Sequence, residues 1–82
     1  MSAALEGKEL AKKVRAQIAR RYIDSSLLNI SVFGGSVHLV GAIRTLRTHP
    51  DIDMKAEMET ISQILRTIPG VRDVVWDVSI RS

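Results

Sequence analysis

Apolar residues recur at every second position on both sides of Gly34-Gly35, in the stretch Ile30-Ser-Val32-Phe-Gly34-Gly35-Ser-Val37-His-Leu39-Val-Gly41-Ala-Ile43. A period of two marks half-buried strands, and a Gly-Gly link fits a two-residue I′ or II′ hairpin turn. With those glycines as the loop, Val32 faces Val37, Ile30 faces Leu39 and Leu28 faces Gly41. This register puts the apolar set of both strands on one side, and a slip of one residue would destroy that agreement.

On either side of the hairpin the period changes. Leu10, Ala11, Val14, Ile18 and Tyr22 recur at three- and four-residue intervals, which predicts an amphipathic helix from about Leu5 to Ile23. Arg21 falls near the apolar side and marks where that helix frays or ends. Asp24-Ser-Ser is read as the connector into the hairpin. After the second strand, which can extend through Arg44, the segment 45–53 breaks the alternation. Pro50 rules out a central strand, and Asp51 or Asp53 is placed to cap a helix.

That second helix carries a stripe of Met54, Met58, Ile61, Leu65 and Ile68 with Ile64 at its edge; Lys55, Glu57, Glu59, Gln63 and Arg66 are read as lying off it. The two methionines at core spacing are read as core filler rather than as an adaptable binding groove. Pro69-Gly70 ends the helix, and residues 71–81 alternate again. Val74, Trp76, Val78 and Ile80 are expected toward the core, with Asp73, Val75, Asp77, Ser79 and Arg81 facing away.

The order is αββαβ. Every apolar stripe is satisfied by an α+β fold with a three-stranded mixed sheet and two helices packed on one face. The helix between the second and third strands is a crossover, so those strands are parallel if they share the sheet. Whether the third strand pairs with the first or the second stays open.

Composition narrows the function classes. Eighty-two residues hold one domain, with a core expected over 8–81. Apolar residues at 45% and charged ones at 26% are globular values, which excludes a disordered chain. The absence of cysteine removes disulfides, zinc-thiolate sites and thiol nucleophiles. The net charge is +3, and its distribution is uneven: Lys8, Lys12, Lys13, Arg15, Arg20 and Arg21 face only Glu9 within residues 8–21, a net +5 that leaves −2 elsewhere. Lys8, Lys12, Lys13 and Arg20 spread over the helix face opposite the apolar stripe.

Gly35-x-Val37-x-Leu39-x-Gly41-x-Ile43, then a helix, then Ile68-Pro-Gly70-Val71-x-Asp73-Val74-x-Trp76-x-Val78-x-Ile80, resembles the BON family of bacterial domains. The likeness covers residues 8–81 and includes the preceding helix and Ile30-x-Val32. It implies a small αββαβ module that binds phospholipid surfaces or assembles protein complexes in the bacterial envelope. No catalytic residue carries over, because the matched positions are turn glycines and core aliphatics. The connection over 44–53 is longer than the family's usual one. The closing phrase is also similar to heavy-metal-associated domains, but their paired cysteines are missing.

Other chemistry finds little support. His49-Pro-Asp51-Ile-Asp53 holds metal-capable donors without the four ligands and supporting shell of a structural site, so no metal and no cofactor are expected. His38 alternates away from the helices, where Ser31, Asp77 or Ser79 could accompany it only on a flat surface, so no catalytic residues and no enzyme are expected. Gly34-Gly35 leads into a strand rather than a helix N-terminus, which excludes a phosphate loop.

Two surfaces remain as candidates. The open sheet face, with Phe33, His38, Val40, Ala42, Arg44 and Val75, is the expected contact for a partner protein or a second copy. The basic helix, through Lys8, Lys12, Lys13, Arg15 and Arg20, is the alternative contact, with anionic phospholipid. Nucleic-acid binding by that helix is the weakest reading. The basic pI supports it, but Tyr22, Phe33 and Trp76 are the only aromatics, and Trp76 points to the core. The start carries no secretory signal and no apolar run reaches membrane-spanning length. A complete chain of this kind is expected in the cytoplasm, and a piece of a longer parent in the bacterial envelope or periplasm.

Overall fold

The computed structural model describes residues 3–81, with side chains from Gly7 onward; residues 1, 2 and 82 of the expected domain lie outside the described residues. The elements are α1 (Ala3–Ala19), β1 (Ile23–Asp24), β2 (Leu28–Phe33), β3 (Ser36–Thr45), α2 (Met54–Arg66) and β4 (Asp73–Arg81). The α+β arrangement is the one expected, with one two-residue strand added.

The hairpin forms in the register expected from its sequence, with Val32 opposite Val37, Ile30 opposite Leu39 and Leu28 opposite Gly41. Gly34 and Gly35 have φ of +55° and +84°, both in the region that a I′ turn demands and that side chains disfavour. β4 runs parallel to β3 from Ser36 opposite Asp73 to Arg44 opposite Arg81. The third strand of the expected sheet therefore joins the second strand, not the first.

β1 pairs antiparallel with the end of β3, Ile23 opposite Thr45 and Asp24 opposite Arg44. Since β4 occupies the other edge of β3, β1 and β2 must share one edge as a single interrupted strand. Between them Ser25, Ser26 and Leu27 stand against only Ala42 and Ile43, the two-strand count of a β-bulge with one extra residue. The extra residue lets Ile23 and Leu28 both face the core although their spacing is odd. It also corrects the first helix, which ends at Ala19: Tyr22 is exposed and Ile23 is a buried strand residue.

Gly41 makes the bulge possible. Its φ is +128°, and a Cβ there would lie 2.3 Å from the Leu27 carbonyl oxygen, which accepts a hydrogen bond from the Ala42 N–H at 3.2 Å. No side chain fits between those backbones. At the start of β3 the hairpin turn docks on the chain leaving α2, where the Gly35 carbonyl accepts from the Arg72 N–H at 2.8 Å.

Both helices cover one sheet face, and their buried side chains form one cluster with those of the strands. Val14 and Ile18 of α1, Val37, Leu39 and Ile43 of β3, and Ile61 and Leu65 of α2 are essentially inaccessible. Burying each such side chain contributes about 1.5–3 kcal/mol. Asp53 caps α2, its Oδ1 accepting from the Ala56 N–H at 3.1 Å, and the helix ends at a Thr67 cap, so Ile68 packs from the following turn rather than from the helix.

Three placements differ from expectation. Ile80 is exposed although its register neighbour Ile43 is inaccessible, because β4 is an edge strand whose inner face the helices cover only in part. Ala42 belongs to the open face by register yet is buried, its single methyl lying low between Val40 and Arg44 in the row that meets the bulge. Glu57 is buried, not off the stripe, because it stands three residues after Met54 and four before Ile61.

Glu57 is compensated by Arg21, just beyond the end of α1. Arg21 Nε donates to Oε1 at 2.6 Å and Nη2 to Oε2 at 3.1 Å. This bidentate pair joins the two helices, and the hydrogen bond to Glu57 raises the Arg21 pKa above its ordinary value. Arg21→Met should lower unfolding free energy by about 3 kcal/mol in a denaturant titration by stranding a buried carboxylate, and Arg21→Met with Glu57→Met should recover most of it. A single substitution costing less than about 0.5 kcal/mol would show that the pair does not hold the helices together.

Candidate interaction surfaces

The side of the sheet away from the helices is built in rows by strand register. Phe33, Ser36 and Asp73 form one row; Ser31, His38 and Val75 the next; Asn29, Val40 and Asp77 the third; and Asp24, Arg44 and Arg81 the last, beyond Ala42 and Ser79. Every residue expected on this face by alternation therefore lies on it. Phe33 is 72% exposed, Val40 42% and Val75 43%, so three large apolar side chains stand in water on one helix-free surface.

The rows decide which side chains meet. His38 is the register neighbour of Val75 and Ser31, and its ring meets Phe33 edge-on with centroids 6.4 Å apart. Ser36 Oγ lies 3.3 Å from His38 Nε2. Asp77 belongs to the Val40 row, so the hydrolytic grouping considered around His38 is not assembled. Arg44 sits at the far end, its Nη2 3.5 Å from Asp24 Oδ2.

Asp24 itself organises the bulge. Its Oδ1 accepts from the Ser26 N–H at 2.9 Å, and that bond, with the Ser26 hydroxyl and a smaller pull from Arg44, lowers the Asp24 pKa. A lowered folded-state pKa stabilises the fold above the ordinary carboxylate range, and the contribution disappears as pH falls through the lowered value.

Lys8, Lys12, Lys13, Arg15 and Arg20 are all exposed on or just beyond α1. Among the described residues only Lys12 has a carboxylate near, Glu9 at 4.0 Å. Gly7 brings α1 close to β2: a Cβ at Gly7 would stand 2.9 Å from the Val32 carbonyl oxygen. Beside that contact is a mainly apolar groove of about 480 Å³, lined by Gly7, Lys8, Ala11, Ile30, Ser31, Val32 and Phe33. Periodicity shows which helix face is polar, but it carries no sign of this groove, which depends on how closely the helix and strand approach.

The long connection after β3 folds back on the end of α1. His49 stacks on Tyr22 with centroids 4.4 Å apart, and His49 Nδ1 lies 2.9 Å from Thr48 Oγ1. With Asp53 used as the α2 cap, the His49–Asp53 donors do not converge, and no cluster that could hold a metal occurs among the described residues. A depression of about 650 Å³ lies where this loop meets the strand ends, between Asp24, Arg44, Arg47, Thr48 and Pro50. Neither described helix is long and apolar enough to cross a membrane.

The protein-family model for the BON domain matches residues 7–82, nearly the whole chain. No curated protein and no solved structure matches it.

Proposed function

The chain belongs to the BON domain family, a family of non-catalytic binding modules, and we propose that it docks a partner protein or a second copy through the open sheet face. The supporting observation is the grouping of exposed Phe33, Val40 and Val75 with His38 on the one sheet face no helix covers, and Arg44 at its end. Apolar side chains rimmed by charge are the composition of a modest protein contact. Phe33→Ser with Val40→Thr and Val75→Thr should leave thermal stability nearly unchanged, since all three are exposed, and should abolish affinity capture of partners from a lysate of the source organism. Capture that persists unchanged in this triple variant would reject the face as the docking surface.

A second reading is supported by the five exposed cations of the first-helix segment, of which only Lys12 has a carboxylate near it among the described residues. Lys8, Lys12, Lys13, Arg15 and Arg20 would attach the module to anionic lipid, each contributing about 1 kcal/mol near such a surface. Co-sedimentation with vesicles should then rise with phosphatidylglycerol content and fall with salt; equal binding to neutral vesicles would reject it.

A further inference from the structure

β4 is a nine-residue edge strand whose only strand partner among the described residues is β3. Its outer edge is a row of backbone donors and acceptors without a sheet partner, and Asp73–Arg81 contains no proline, glycine, lysine or bulge to discourage pairing. Its helix-side face is also incompletely covered. Val74, Trp76 and Val78 are only partly buried, and Ile80 is 46% exposed. A groove of about 180 Å³ runs beside Trp76 under α2, lined by Lys55, Met58, Glu59 and Ser62, with the Trp76 ring N–H held by Ser62 Oγ at 2.7 Å.

We propose that the occupant of this edge is β4 of a second copy, paired antiparallel about Val78 so that the two sheets become one. In this register Val78 meets Val78, and Trp76 meets Ile80 of the second copy, bringing that exposed isoleucine beside the groove at Met58. On the opposite face Asp77 meets Ser79. Arg81 meets Val75, with Asp73 and Asp77 as its diagonal neighbours within reach of a long side chain. Two other registers pair at least seven of the nine β4 residues while keeping the helices on one side, and both are poorer. Centring on Asp77 sets the two Asp77 carboxylates directly opposite, and centring on Trp76 leaves Ile80 without Trp76 across from it. The charges of β4 are thus complementary to those of its own antiparallel copy. This contact uses the strand edge, distinct from the open face, and the pairing would join two open faces into one.

Sedimentation velocity from micromolar to millimolar protein, with light scattering for mass, tests the pairing. The unaltered chain should show a monomer–dimer equilibrium. Arg81→Asp, which puts an acid among acids, and Asp73→Arg with Asp77→Arg, which surrounds Arg81 with cations, should each weaken self-association by at least about tenfold. An equimolar mixture of these two variants should restore a dimer, because each reversal then meets its complement; neither variant needs a new core contact. A chain that stays monomeric to millimolar concentration overturns the proposal. So does a dimer indifferent to Arg81→Asp but lost with Phe33→Ser and Val40→Thr, which would place the contact on the open face. Binding of an extended peptide along β4 with no dimer would give the edge to a different partner and equally overturn it.

Discussion

Everything in this domain is hung on one strand. β3 is hydrogen-bonded along both edges, to β1 and β2 on one side and to β4 on the other, and its inward side chains Val37, Leu39 and Ile43 are wholly inaccessible. Two glycines make room for that arrangement. Gly35 closes the hairpin and meets the α2–β4 turn, and Gly41 leaves room for the bulged backbone at Leu27. Because β3 is saturated, the helices can add stability only by covering its inner face. The Arg21–Glu57 pair fixes them to each other over that face.

The same constraint determines where function can reside. A strand used on both edges and on its inner face has only its outer side chains to offer, so the domain presents His38, Val40 and Arg44 together with their row neighbours on β2 and β4. The remaining unsatisfied backbone lies at the margins of the sheet, on β4 and along the outer side of β2. The family to which the chain belongs is one of binding modules.

Much of this was legible in the residues. The Gly-Gly loop fixes strand parity, and parity alone assigns Val37 and Leu39 inward and His38 and Val40 outward, so the open face could be listed residue by residue. β1 was hidden for a physical reason: two residues show no period, and the bulge shifts parity so that Ile23 continues the helix pattern better than the strand pattern. Arg21 and Glu57 were hidden by their charge, which reads as surface. Their signal was positional, a cation on the apolar side of one helix and an acid between Met54 and Ile61 on another, and it points to a buried pair only when the two are considered together. The Gly7 groove and the loop folded onto Tyr22 depend on distances between elements, which periodicity does not encode.

Amide hydrogen exchange on dilute protein tests the saturated central strand most directly. The amides of Val37 through Ile43 should exchange only with global unfolding, while amides on the outward edge of β4 should exchange far faster. Equal protection of both β4 edges at concentrations where the protein is monomeric would contradict this, since another part of the chain would then have to cover that edge.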